Sequence, residues 1–407
     1  MSSPAPVRVL IVHPRDPAAP TLGGIQTFLR DFIKYAPADF DISFVGTTRD
    51  ERARPVGSWM TLDVYGRRIK FLAVGTNAGV PRSPAAIARS IKGLARLWRA
   101  LAVHGRILQV HRPYRSFVLN HHPGPIVQFI HLDLRDWPGP QGWPKLKGLY
   151  REFSDEELER MDRVYIVNET GALMLREAHP TMADRVEFLP VWFDATIFHR
   201  TDTDERARLR AALADRLGLM AADVKKARYV LSAGRLTEIK KPLLAVETLA
   251  ALNDADVHLV VAGAGELGEE LAARAGELDV ADRVHLLGDR PRDEIAQLMQ
   301  ASDALLLTAR SEGGGPRVVL EALACGLPVV STSVVEVRRT VASGINGWLV
   351  DDAAPQALAR GLHWVLSQPH EELARAAAAA VESFTAEQML DGLYAAYRAL
   401  SSSSESK

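Results

Sequence analysis

The chain has 407 residues, more than one ordinary core holds and enough for two domains of about 150–200 residues each. With 47% apolar and 24% charged side chains it cannot be wholly disordered, and its single cysteine, Cys325, excludes a disulfide framework or a cysteine-based zinc cluster. The net charge of −1 hides an uneven split: residues 1–195 carry 26 Lys and Arg against 20 Asp and Glu, and the remainder 23 against 30.

Val7–Val12 is a β-branched run stopped by His13-Pro14, and no basic region precedes it, so it is not read as a signal peptide. No apolar run approaches the roughly 18 residues of a membrane span. The expectation is a cytoplasmic chain. Gly23-Gly24 then opens a stretch in which Ile25, Phe28, Leu29, Phe32 and Ile33 recur at helical spacing. Strand, glycine loop and helix make the first half of a parallel α/β unit. Further strands are predicted at 42–45, 69–74, 107–110, 126–130 and 164–167. The last two run into His131 and Asn168, at the strand ends where open α/β sheets place ligand groups.

Between Asp63 and Asp133 lie eleven Lys and Arg and no acid. Within that interval, residues 86–101 predict an amphipathic helix with Arg89, Lys92, Arg96 and Arg99 on one face. Such a face rests on anionic lipid headgroups, receives an anionic acceptor, or is the solvated side of an ordinary surface helix. Nucleic acid is not expected, because the basic stretch has little aromatic interleaving.

A second α/β series starts at Tyr229. Strands at 229–232, 258–261, 284–287, 304–307 and 329–330 alternate with helices at 243–252, 266–278, 292–300 and 318–325. The expected boundary is 195/196, before the charged segment 201–210, which reads as a connector. A donor-side domain over 196–383 follows. Helices at 353–366 and 386–400 close the chain, the segment 384–400 packing back on the first domain.

Chemistry concentrates in the second series. Gly234 and Arg235 follow a strand, with Lys240 five residues on; a planar fork and a point charge at that spacing suit a diphosphate. Glu312-Gly313-Gly314-Gly315-Pro316-Arg317 runs into a helix bearing Glu321, where exposed backbone N–H groups suit phosphate oxygens and carboxylates suit sugar hydroxyls. Asp39-Phe40-Asp41, Asp202-Thr203-Asp204 and Asp254-Ala255-Asp256 have a metal-diphosphate spacing but read as solvated turns, so no metal site is assigned.

Together, Gly234-Arg235…Lys240, Gly263-Ala264-Gly265, Glu312…Arg317…Glu321 and Gly326-Leu327-Pro328-Val329-Val330 resemble the donor half of retaining, family-four GT-B glycosyltransferases. Gly23-Gly24 and Asp194…Phe198 resemble the family's N-terminal marks. The resemblance implies two Rossmann-like domains facing a cleft and transfer of a hexosyl group from a UDP- or GDP-sugar to a hydroxyl acceptor on a glycan or lipid. No metal and no cofactor beyond the donor is implied. Arg235 and Lys240 match the diphosphate-stabilising pair, Glu321 the ribose-binding carboxylate, Glu312 the one contacting the sugar, and His131 the N-domain histidine beside it. Gly23, Gly24, Gly234, Gly263, Gly265, Gly314, Gly315, Pro316 and Arg317 would line the donor.

Two departures stand out. Glu312 and Glu321 are nine positions apart where the family has eight, and Lys241 stands where it commonly has glycine. The spacing leaves room for a nucleotide-sugar-binding protein without transfer, and the alternative acceptor is a small natural product. An oxidoreductase would need G-x-G-x-x-G in the first βα turn, and the only such string, Gly263-Ala264-Gly265-Glu266-Leu267-Gly268, is mid-chain.

Overall fold

The computed structural model describes residues 5–19, 23–76, 107–111, 122–131, 160–309, 315–334 and 336–403. The chain divides into two compact units, Met1–Pro190 with Glu387–Lys407, and Val191–Ala386.

In the first unit, β1 (Val7–Val12), β2 (Phe40–Thr48), β3 (Trp59–Val64), β4 (Arg67–Thr76), β5 (Ile107–Val110), β6 (Ile126–Ile130), β7 (Arg163–Ile166) and β8 (Val186–Phe188) form one sheet in the order β3-β4-β2-β1-β5-β6-β7-β8. All pairs are parallel except β3 with β4. Central strands buried on both faces read as unbroken apolar runs, and Val9 to Val12 are fully buried. The helix α1 (Gly24–Lys34) lays Phe28, Leu29, Phe32 and Ile33 into the core. The helix α2 (Glu169–Ala178) starts at Asn168, whose side chain accepts from the Gly171 N–H at 2.6 Å. Asn168 is therefore a buried helix cap.

The second unit is an all-parallel sheet of β9 (Arg228–Ala233), β10 (Val257–Ala262), β11 (Val284–Gly288), β12 (Ala304–Leu307), β13 (Val329–Thr332) and β14 (Gly347–Val350), ordered β11-β10-β9-β12-β13-β14. Its longer helices are α3 (Thr203–Leu217), α4 (Pro242–Leu252), α5 (Gly268–Glu277), α6 (Arg292–Ala301), α7 (Arg317–Ala324), α8 (Pro355–Ser367) and α9 (His370–Ala379). The charged segment 201–210 is no connector but the first turns of α3. Asp202 caps that helix by accepting from Glu205 N at 2.8 Å, and Gly218, at φ +70°, ends it. Its Arg206 and Arg210 each reach Asp303 at 2.9 Å, so charge here knits the helix to the sheet.

The last helix, α10 (Ala386–Ser403), belongs to the first unit from Glu387 on. Tyr394 and Tyr397 are buried against Phe32 and Phe40, Tyr394 Oη donates to the Phe32 carbonyl at 2.8 Å, and Arg398 grips Asp39 at 2.8 and 2.9 Å. Among the described residues no helix is long and apolar enough to cross a membrane.

Candidate functional site

In the second sheet the chain moves outward to one side through β9, β10 and β11, then to the other through β12, β13 and β14. The strand order therefore reverses between β9 and β12, where the loops leaving the C-terminal strand ends diverge and open sheets hold their ligands. Arg235 and Lys240 follow β9, and the glycine-rich segment follows β12.

The β9 loop is built by backbone contact. Gly234, at φ +151°, donates its N–H to the Ala262 carbonyl at 3.0 Å, and Leu236 donates to Ala264 at 3.1 Å. Leu267 N–H returns to the Leu236 carbonyl at 3.1 Å. The loop after β10 can lie this close only because Gly263 and Gly265 carry no side chain. A Cβ on Gly263 would fall 1.9 Å from the Gly234 oxygen, and one on Gly265 would fall 2.2 Å from the Leu236 oxygen. The G-x-G-x-x-G string does stand between a strand and a helix, but its first two glycines make room for the neighbouring loop.

This docking anchors Gly234 and Leu236 and leaves Arg235, between them, exposed. Glu238–Lys240 makes a single 3-10 turn. The Thr308 hydroxyl at the end of β12 shares its hydrogen between the carbonyls of Lys240 and Lys241, 2.9 Å from each. Lys240 is thus tied across the switch point. Lys241 sits at φ +46°, which explains why glycine suits that position.

Gly315, at φ +77°, and Pro316 lead into α7, whose first residue is Arg317. Arg317 donates to the Trp192 carbonyl and lies 5.3 Å from the Trp192 ring centre, so its fork is engaged by the start of this unit. Glu321 is only 9% exposed, and its Oε1 accepts from Arg292 Nη2 at 3.0 Å. Arg292 in turn lies 5.0 Å above the Phe198 ring, which the Asp194 turn directs inward: Asp194 Oδ1 accepts from the Thr196 hydroxyl at 2.6 Å and its carbonyl from Phe198 N at 2.9 Å. Burial pushes the Cys325 thiol well up, so it is not a nucleophile. Glu312, Gly313 and Gly314 lie outside the described residues, as do Arg89, Lys92, Arg96 and Arg99.

The first sheet has its own reversal, between β1 and β5. Gly23, at φ +116°, caps α1, and both Gly23 and Gly24 are exposed with open space where a Cβ would stand. His131 ends β6, and its Nε2 lies 2.8 Å from Nδ1 of His111, which ends β5. His111 Nε2 is 2.8 Å from Gln109 Nε2, and Gln109 Oε1 accepts from Tyr397 Oη at 2.7 Å. The Phe28 ring packs edge-on against both imidazoles, at 5.2 and 5.3 Å. His111 escaped the sequence reading, although two histidines each ending a strand are a usable signal once β5 and β6 are neighbours.

The Asp-x-Asp pairs hold other partners: Asp39 has Arg398, Asp41 has Lys70 at 3.3 Å, Asp202 caps α3, and Asp254 accepts from Asp256 N at 3.0 Å. Among the described residues no cluster of metal-binding side chains is found.

Residues 221–383 match the model of the family described as glycosyl transferases group 1. The D-inositol 3-phosphate glycosyltransferase of Mycolicibacterium gilvum is 32% identical over 246 residues, 59% of this chain and 52% of that protein. The enzyme of the same name from Thermobispora bispora is 30% identical over 273 residues, 63% of this chain and 60% of the relative. The chain thus spans about half the length of the first of these curated relatives. Sucrose-phosphate synthase from Thermosynechococcus elongatus superposes with a TM-score of 0.78 at 19% identity, covering 98% of this chain and all of that one. Anabaena HepE in complex with UDP gives 0.70 at 18% identity over 97% of this chain and all of that one. These likenesses show the GT-B fold class. Sheet order, loop order and the family match agree: residues 221–383, within the C-terminal unit, are similar to the glycosyl transferases group 1 family.

Proposed function

We propose that the chain is a retaining, metal-independent glycosyltransferase that moves a hexosyl group from a UDP- or GDP-sugar to a hydroxyl acceptor, using no cofactor beyond the donor. The observation that carries this reading is the switch-point loop, which holds Arg235 exposed between two backbone-anchored residues and ties Lys240 to Thr308. As the bond from the anomeric carbon to the diphosphate oxygen breaks, negative charge collects on the leaving group, and two cations carried on an anchored backbone stabilise it. Glu321 would accept ribose hydroxyls, Glu312 and His131 would address the sugar, and Gly314 and Gly315 would offer backbone N–H groups ahead of α7.

Solved neighbours hold UDP in Anabaena HepE and ADP in starch synthase IV of Arabidopsis thaliana. The relatives are named for D-inositol 3-phosphate, a phosphorylated polyol. That chemistry suits the acid-free interval 64–132, and we place the acceptor among polyols, glycans and lipid-linked glycans of envelope polysaccharide synthesis. Arg89, Lys92, Arg96 and Arg99 would hold the chain at the cytoplasmic face of an anionic membrane. The nine-residue spacing of Glu312 and Glu321 favours one other reading, a nucleotide-sugar-binding protein without transfer.

The test is thermal stabilisation by UDP, GDP, ADP, CMP and NAD, without and with Mg²⁺. One nucleoside diphosphate at about 100 times its Kd should add about 2.7 kcal/mol, with or without the metal. Stabilisation by NAD alone, or by no nucleotide, overturns the proposal, and bound donor without transfer or hydrolysis leaves the binding-protein reading.

A further inference from the structure

We infer that Tyr397, Gln109 and His111 form a one-directional hydrogen-bond relay that fixes His131 as the tautomer carrying its hydrogen on Nδ1. His131 Nδ1 then carries an N–H donor, and its Nε2 lone pair is occupied from within the fold. The relay rests on the proposed function only for what His131 does with a donor sugar; its geometry stands by itself.

The direction is set at the buried end. Tyr397 and Gln109 are both fully buried, and among the described residues the one hydrogen-bond partner of the Tyr397 hydroxyl is Gln109. Burial also holds that phenol protonated, far above its ordinary range. A buried hydroxyl hydrogen needs an acceptor, and Gln109 Oε1 at 2.7 Å is it. The opposite amide orientation would turn an NH₂ towards the phenol and strand the hydroxyl hydrogen.

With Oε1 committed to Tyr397, Gln109 faces His111 with Nε2, which can only donate. His111 Nε2 must therefore accept, and a neutral imidazole that accepts at one nitrogen carries its hydrogen on the other. That hydrogen sits on Nδ1, 2.8 Å from His131 Nε2. The same rule applied once more puts the His131 hydrogen on Nδ1. Each ring's angle is held as well: Phe28 packs edge-on against both, and Phe129 stacks on His111 at 4.8 Å. Tyr397 lies in α10, far from His131 in sequence, and the last helix of the chain thereby sets the hydrogen-bonding character of a residue at the end of β6. Tyr397, Gln109 and His111 are positioning residues here.

Long-range ¹H–¹⁵N NMR of the ¹⁵N-labelled full chain reads the tautomer directly, with His131 assigned by its loss in His131→Gln. The wild-type chain should show His131 protonated on Nδ1; protonation on Nε2 overturns the relay. Gln109→Glu keeps the shape and reverses the polarity, since a carboxylate accepts from both Tyr397 and His111. With His111 neutral, which the same spectrum reads, it should move the His131 hydrogen to Nε2; a neutral His111 beside an unchanged His131 tautomer overturns the inference. In transfer assays Gln109→Glu should lower kcat about 100-fold, the scale of one lost donor, with donor KM unchanged. Because the tautomer is read with no nucleotide present, failure of the nucleotide tests and failure of the relay are told apart.

Discussion

The carbonyl oxygen of Leu236 lies 2.2 Å from where a Cβ on Gly265 would stand. The obstructing atoms are backbone, so neither loop can give way by turning a side chain. Gly265→Ala should therefore cost about 1–3 kcal/mol of stability by overpacking. It should also weaken nucleotide stabilisation, because the displaced loop carries Arg235. Gly276→Ala, in α5 with nothing within 4 Å of its added carbon, is the control and should gain about 0.5–1 kcal/mol. Chemical denaturation with and without the preferred nucleoside diphosphate compares the two.

Arg235→Ala and Lys240→Ala should each lower turnover at least about 100-fold, the scale of removing one preorganised charge-stabilising group. Thr308→Val removes the hydroxyl that ties the carbonyls of Lys240 and Lys241 to β12 without changing side-chain size greatly. It should reproduce part of the Lys240→Ala loss. Near-normal turnover in both alanine variants would remove these residues from the reaction.

Arg292 and Glu321 join α6 to α7 through a charge-assisted hydrogen bond with side chains 17% and 11% exposed. Arg292→Met withdraws the guanidinium from that carboxylate and should cost about 1.5–3 kcal/mol. Glu321→Gln in the Arg292→Met background should recover part of it, since the amide carries no charge. A double-mutant cycle on stability measures the coupling. In the same variants, weaker nucleotide binding for Glu321→Gln than for Arg292→Met would mark the carboxylate as the ribose contact.

The parts of the fold legible in the sequence were those where burial on both faces leaves an unbroken apolar run, as in Val7–Val12 and Ala304–Leu307. The strand β3 was not, because it is a short, half-buried edge strand that pairs on one side only and runs antiparallel in an otherwise parallel sheet. Its turn is also unusual, with Tyr65 and Gly66 at φ +54° and +77°, where Asn-Gly is the familiar signal. The helix α3 read as a connector since its arginines look solvated until Asp303 is beside them. Arg235 and Lys240 were legible as cations in the loop after a strand, and Glu321 as a carboxylate one turn into a helix. The Arg292 contact and the His111 relay were not, because both join residues that only the sheet order makes neighbours. Asn168 shows the converse, a polar residue at a strand end that serves as a helix cap.

Lys241 occupies the left-handed region at φ +46°, where a residue with a Cβ is disfavoured by roughly 1–2 kcal/mol. Replacing it by glycine removes that strain but frees the unfolded chain by about 0.5–1 kcal/mol. Lys241→Gly should therefore be neutral or stabilise by up to about 1 kcal/mol. Lys241→Val, β-branched, should destabilise. Thermal unfolding of the two variants reads the difference in sign.

His370 opens α9 in a half-buried position, and its imidazole is pushed down from 6.5 to about 4, first by burial and then by the cation of Arg206. Arg210 adds to the repulsion, while Asp303 and Glu371 oppose it. Between pH 6.5 and about 4 the unfolded chain binds a proton at this site that the folded chain does not. Stability is thus fully present above about pH 6.5 and is lost as pH falls towards 4. The slope should stay below the one-proton ceiling of about 1.4 kcal/mol per pH unit, since the ring is only partly buried. His370→Gln keeps a hydrogen-bonding side chain that does not titrate in this window, so its stability curve should be flatter between pH 4 and 6.5 than that of the wild-type chain. Parallel curves for the two would show that His370 takes up its proton in the folded state as easily as in the unfolded one.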